Sequence, residues 1–190
     1  MVSVARRVKG TDVAGAVKAL RKLRRRGELP ELSAAVAALV DQRILPASWY
    51  PMETVRDLLA IVHQKWFDGT DDGALAMGRM GARETLAGLQ AAYVADGDPV
   101  RTLGALERIW RAHYDFGHAE TEVDGAGALF RLSGYPDMPR WHGFIIAGWV
   151  MAAIEMAGAK DVRVAVRGGP WVDAAAPFVA AVTWQATARP

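Results

Sequence analysis

Arg140-Trp-His-Gly-Phe-Ile-Ile-Ala-Gly-Trp-Val-Met-Ala-Ala-Ile-Glu-Met-Ala-Gly158 and Asp161-Val-Arg-Val-Ala-Val-Arg167 change hydrophobic period within two residues of each other. In the first stretch Ile145, Trp149, Ala152 and Met156 recur at helical spacing, and Ile146, Val150 and Ile154 widen the apolar stripe. A helix apolar over so broad an arc is buried on more than one side. In the second stretch Val162, Val164 and Val166 share one side at period two, as in a strand. Gly168-Gly169-Pro170 interrupts that pattern, and Phe178, Ala180, Val182 and Trp184 resume it, which predicts a hairpin with a long connection.

Working outward, 120–126 and 128–133 read as two short strands around Gly125 and Gly127. Upstream of them the pattern is helical. Val8-Lys9-Gly10-Thr11 reads as a short strand or arm running into a helix capped by Thr11 or Asp12, with Val13, Val17 and Leu20 on one face and Gly27 as its stop. Pro30 and Glu31 reopen a helix through Ile44, and Leu45-Pro46 and Tyr50-Pro51 bracket a turn. Val55, Leu58, Leu59, Val62 and Trp66 predict a helix over 54–67. Two more are expected, from about Asp72 to Gly81 and from Ala82 to Val94, with Met80-Gly81 as a kink or a close helix crossing. Asp98-Pro99 then caps a helix carrying Leu103, Leu106, Trp110 and His113 on one side and ending near Gly117.

The expected fold class is therefore α+β. A helix-rich amino-terminal two-thirds packs on a mostly antiparallel four-stranded sheet, with strand-strand-helix-strand-strand order at the carboxy-terminal end. A chain of 190 residues can bury one core, so one domain over 1–190 is expected, with 1–26 a basic arm and helix.

Composition narrows the chemistry. There are no cysteines, which excludes disulfides, thiol catalysis and cysteine-ligated metal centres. The net charge of +2 conceals a polarity: residues 1–26 carry nine basic side chains against Asp12 alone, and the rest of the chain is net acidic. Such a segment suits a phosphate, an acidic partner or the chain's own body, and Arg21, Arg24, Arg25 and Arg26 are its anion-contact candidates. Arg163 and Arg167 share a strand face and are candidates of the same kind. No recognition-helix pair, zinc finger or RNA-reading aromatic motif accompanies the charges, so nucleic-acid binding has no motif to support it. The longest uncharged apolar run, 143–154, is shorter than a membrane span, and a cytoplasmic protein without an integral membrane segment is expected.

No catalytic set emerges. Ser3, Ser33, Ser48 and Ser133 lie in no nucleophile elbow, and the late glycines match no phosphate-binding loop. Asp68 to Gly73 imitates the start of a calcium loop, but Arg79 stands where the closing glutamate belongs. His63, His113, His118 and His142 form no metal-binding spacing, and no metal or cofactor is expected. His113, on an apolar helix face, reads first as a hydrogen-bonded core histidine and second as a ligand contact. His118 and Glu120 share one side of a strand and offer the one acid-base pair.

Seven tryptophans against five phenylalanines is the unusual feature. Trp66, Trp110 and Trp149 occupy helical core positions and, with His113, are the candidates for lining a small-ligand pocket. Trp141 and Trp171 flank turns and are candidates for an interface or a pocket rim.

Val8-Lys9-Gly10-Thr11, Trp49-Tyr50-Pro51 followed by 55–59, and Met77-Gly78-Arg79 followed by Glu84-Thr85-Leu86 resemble a myxobacterial paralogous family of about this length. That family carries no common activity, so the resemblance implies fold more than chemistry. More remotely, the element order resembles haem nitric-oxide-binding domains, vinyl-reductase-like small-molecule-binding domains and vesicle-tethering subunits. That resemblance implies a sensor or an assembly module rather than a catalyst. The haem sensors hold iron through a histidine and the propionates through a Tyr-x-Ser-x-Arg element; Tyr135 is followed by Pro136-Asp137-Met138-Pro139, which departs from it.

The first expectation is a noncatalytic regulatory or protein-interaction module with a protein partner or self-association as a dimer. The alternatives are a sensor for a small hydrophobic ligand, and an acid-base or hydrolytic enzyme using histidine and glutamate.

Overall fold

The structure, a computed structural model, describes residues 5–88 and 90–185. Ser3 and the start of the basic arm lie outside the described residues. Strand β1 (Arg7–Lys9) leads into helix α1 (Gly10–Arg26), which Gly27 ends in the left-handed conformation, φ 71°. Helix α2 (Ala34–Asp41) starts at Ser33, whose hydroxyl accepts from Val36 N at 3.3 Å, a few residues after the expected start at Pro30. Strand β2 (Trp49–Pro51) pairs antiparallel with β1, Val8 opposite Tyr50, where the sequence predicted only a turn. Strands of three residues are too short to show alternation.

Helix α3 (Met52–Trp66) follows, then α4 (Asp71–Leu86), capped by the Thr70 hydroxyl accepting from Gly73 N at 3.0 Å. The sequence predicted two helices across 72–94. One helix instead runs straight through Met80-Gly81, and beyond it stands a single turn of 3₁₀ helix at Ala91–Tyr93. The expected helix from Asp98 to near Gly117 is divided into α5 (Pro99–Gly104) and α6 (Leu106–His113). Its start is as predicted, with Asp98 accepting from Arg101 N at 2.9 Å. The division falls at Gly104, where glycine weakens the helix and the Ala105 N–H turns back to Thr102 O at 3.0 Å.

Strands β3 (His118–Asp124) and β4 (Gly127–Ser133), helix α7 (Arg140–Met156), and strands β5 (Lys160–Gly168) and β6 (Phe178–Gln185) complete the order. The four strands form an antiparallel sheet ordered β3-β4-β6-β5. The fold class is as expected: α+β, helices packed on an antiparallel sheet of strand-strand-helix-strand-strand order.

Helix α7 packs on α4 and on the sheet, which is why its apolar arc is so wide. The α4–α7 crossing is made by Gly78 and Gly148 rather than at Gly81. A methyl group at Gly78 would meet the backbone of Ile145 and, at 2.9 Å, of Trp149; one at Gly148 would meet the Leu75 backbone. Gly81 has open space where its side chain would be. Among the described residues no helix is long and apolar enough to cross a membrane.

Candidate functional site

Helix α4 meets α7 backbone to backbone, but α1 approaches α3, α4 and α7 less closely. The part of α1 turned to them carries small residues, Gly15, Ala16 and Ala19. Small side chains on one wall and a seam on the other leave a cavity of about 490 Å³ between the four helices. That is within the range of small-molecule sites. Met52, Val55, Leu59 and Val62 of α3 form one wall; Met77 and Gly78 of α4 with Ile145 and Trp149 of α7 form another. Trp66 and Phe67 close the end of α3.

The mouth is cationic. Lys18, Lys22 and Arg25 stand at i, i+4 and i+7 on one face of α1, are exposed, and line the opening. Among the described residues none of the three is in an ion pair. Lys22 Nζ lies 4.8 Å from the Trp66 ring centroid and the Arg26 guanidinium 5.4 Å from it. The carboxylates at the opening are Asp12, engaged by His113, and Glu84. The Trp66 indole N–H is buried with no hydrogen-bond partner among the described residues.

The other face of α1 is spent on α2. Arg21 donates to Val40 O at 2.8 Å and Gln42 O at 2.7 Å, and Arg24 pairs with Asp41 at 2.6 Å. Of the arginines singled out in the sequence, Arg21 and Arg24 are therefore intramolecular stitches, Arg25 lines the cavity, and Arg26 lies over Trp66. Lys18 and Lys22 belong with Arg25; spacing alone does not separate them from Arg21, which stands at i+3 from Lys18 and i−4 from Arg25, and the neighbour each meets does.

Of the four pocket candidates, Trp66 and Trp149 line the cavity, whereas Trp110 and His113 do not. Trp110 is buried, stacks on Tyr114 at 4.0 Å and donates its indole N–H to Phe116 O at 2.8 Å. His113 is held between Asp12 Oδ2, 2.7 Å from Nδ1, and the Gln90 amide at Nε2. Trp141 stacks on His63 and His142, and Trp171 packs against Phe178 and over Gly143; both are half-buried. Arg163 and Arg167 are exposed on β5. His118 and Glu120 do face one another, at 3.3 Å, but on open surface.

His142, not singled out in the sequence, is the histidine that lines the cavity. Its Nδ1 is 3.2 Å from the Tyr135 hydroxyl. Burial, and secondarily the charge of Arg56, push its pKa down to about 4, so the imidazole is neutral near pH 7. Burial also pushes the Tyr135 phenol up. Below this pair, Arg6 and Arg56 both bind Asp137, Arg56 at 2.7 Å, and Arg6 above all holds that carboxyl below the usual range.

The sequence model of a family described as "Protein of unknown function (DUF2378)" matches residues 7–175. No curated protein matches. Solved structures with the same fold include an oxygen-binding H-NOX domain related to soluble guanylate cyclases, at 15% identity over 96% of this chain and 97% of that one, TM-score 0.62. A variant H-NOX of T. Tengcongensis aligns at 14% identity over 95% and 100% of the two chains, TM-score 0.64. A third H-NOX structure, from work on heme distortion in that family, gives 13%, 96% and 97%, TM-score 0.63.

Proposed function

The chain belongs to the DUF2378 family, and we propose that it is a noncatalytic sensor module whose four-helix cavity takes a small apolar molecule. The observation that carries the reading is the cavity itself: about 490 Å³, apolar inside and open at one end. The shared fold with H-NOX domains supports it, one of which is described as oxygen-binding. The ligand-sensor reading therefore stands ahead of the protein-interaction module that the sequence put first. His113 is tied into Asp12 and Gln90, and the His118–Glu120 pair is on open surface, which supports a role without catalysis.

Against haem the residues divide. An iron ligand uses one imidazole nitrogen while an outer partner orients the ring through the other. His63 and His113 do not line the cavity, and His113 is bonded through both nitrogens. His142 lines the cavity with Nδ1 held by Tyr135, so its Nε2 is the imidazole nitrogen a haem iron would use there. The propionates would lack their Tyr-x-Ser-x-Arg element, since Tyr135 is followed by Pro136-Asp137-Met138-Pro139, and the reading therefore rests on a small apolar molecule.

Intrinsic fluorescence tests the reading, because Trp66 and Trp149 are cavity walls. Titration with dodecanol is expected to change the emission, with the change reduced in Trp66→Phe and Trp149→Phe and retained in Trp171→Phe. Absence of any response to dodecanol and to a broad screen of apolar ligands would overturn it.

A further inference from the structure

We infer that the cavity's ligand is an amphipathic anion, with an apolar body among the α3, α4 and α7 side chains and a carboxylate or phosphate head at Lys18, Lys22 and Arg25. This rests on the sensor reading and names the ligand class for the same site.

Three observations carry it. The first is selection within one helix: α1 satisfies Arg21 and Arg24 internally and leaves Lys18, Lys22 and Arg25 without ion pairs, all at the cavity's opening. The second is the interior. Its walls are Met52, Val55, Leu59, Met77 and Ile145, with the neutral His142 and Tyr114 as the polar groups among the deep residues and no buried cation, so a charged head placed inside would lose its water without an opposite charge to replace it. The head must sit at the mouth. The third is the balance of charge there. Lys18, Lys22 and Arg25 outnumber the two carboxylates of the lining, Asp12, which His113 binds, and Glu84. An anionic head balances the excess of positive charge at this lip, and charge-assisted hydrogen bonds are the strong ones.

The test uses the full chain and four probes sharing one alkyl body: dodecanoate, dodecyl phosphate, dodecanol and dodecyltrimethylammonium, each followed by calorimetry and tryptophan emission. The two anions are expected to bind about tenfold or more tighter than dodecanol, and the ammonium weakest. The relative affinities of dodecanoate and dodecyl phosphate tell which head the site prefers. In the Lys18→Gln/Lys22→Gln/Arg25→Gln variant, whose changes are on exposed side chains, the anions are expected to fall to the level of dodecanol while dodecanol stays within about twofold. Raising the salt concentration is expected to erode the anion preference in the unsubstituted protein only. Dodecanol binding as tightly as the anions, or an anion preference that survives in the triple variant, overturns the inference and leaves the sensor reading intact. No binding by any of the four overturns both.

Discussion

Helix α4 has two neighbours and treats them differently. Toward α7 it presents Gly78 against the backbone of Ile145 and Trp149, and α7 answers with Gly148 against Leu75, so the two helices touch through main chain. Toward α1 it presents Met77, Gly81 and Glu84 across a cavity of about 490 Å³. Small residues occur on both sides, yet only one is a contact. In the seam each glycine faces backbone, which cannot withdraw, whereas Gly81 has nothing within 4 Å of where a side chain would start and Gly15 meets only the end of the Glu84 side chain. A small residue therefore marks either a close approach or a void, and the partner's surface decides which. The seam is the close-packed wall of the cavity.

His142 stands where wall and cavity meet, and it gives the largest expected effect. Its imidazole titrates near 6.5 when unfolded and at about 4 when folded, so between those values the unfolded chain binds a proton that the folded chain does not. Stability contributed by this difference is fully present above about pH 6.5, falls as the pH drops through the window, and is flat below about 4. The loss is on the order of 3 kcal/mol. Urea midpoints at a series of pH values are expected to show this slope, and His142→Phe to remove it, lowering stability at neutral pH by about 1–3 kcal/mol through the orphaned Tyr135 hydroxyl and closing on the parent as the pH falls toward 4. A variant with the same slope as the parent would show that His142 is hydrated, and that the wall is not dry there.

The seam comes next. Gly148→Ala forces a methyl group onto the Leu75 backbone and is expected to cost about 2 kcal/mol, a melting shift of roughly 4–8 °C for a chain of this size. Ala16→Leu adds more atoms but adds them to the cavity, so its expected change in stability is under about 1 kcal/mol in either direction, with dodecanol binding lost. Scanning calorimetry and the fluorescence titration separate the two. Equal destabilisation by both would mean that α1 is packed as tightly as α7.

These differences explain what the sequence disclosed. The width of the apolar arc on 140–158 announced a helix buried on two sides, and alternation announced β5 and β6, because both patterns are set by residues close together in the chain. Val8-Lys9 was read as a short strand or arm, but its partner β2 was not legible, since the two three-residue strands are joined by a register between Val8 and Tyr50 that no local pattern records. The continuity of α4 was not legible either, because Met80-Gly81 looks the same at a kink and inside a helix. For the site, Trp66 and Trp149 were found by their place on helix stripes, but Trp110 and His113 share such a stripe and face another part of the core. The identity of the facing element decides between them. His142 was hidden because a histidine beside a tryptophan carries no spacing signal. The cations were visible as a run, and only their separation by neighbour, α2 or the cavity, distinguishes Lys18, Lys22 and Arg25 from Arg21 and Arg24.

That separation yields the smallest effect and the closest control on the comparison. Arg21→Ala removes bonds to two backbone carbonyls at the end of α2 and is expected to lower stability by about 1 kcal/mol. Arg24→Ala removes a pair whose two side chains are 46% and 61% exposed, worth at most about 0.5 kcal/mol once solvent screening is counted. Lys22→Ala loses contact with the Trp66 ring alone and is expected to leave the ligand-free protein unchanged within about 0.5 kcal/mol. The order reverses for binding of dodecanoate, where Lys22→Ala is the damaging change and Arg21→Ala and Arg24→Ala are neutral. Stability and affinity measured on the same three proteins thus assign each face of α1 to one task. If Lys22→Ala destabilised the ligand-free protein as much as Arg21→Ala, the cation would be holding helices together, and the cavity mouth would be another seam.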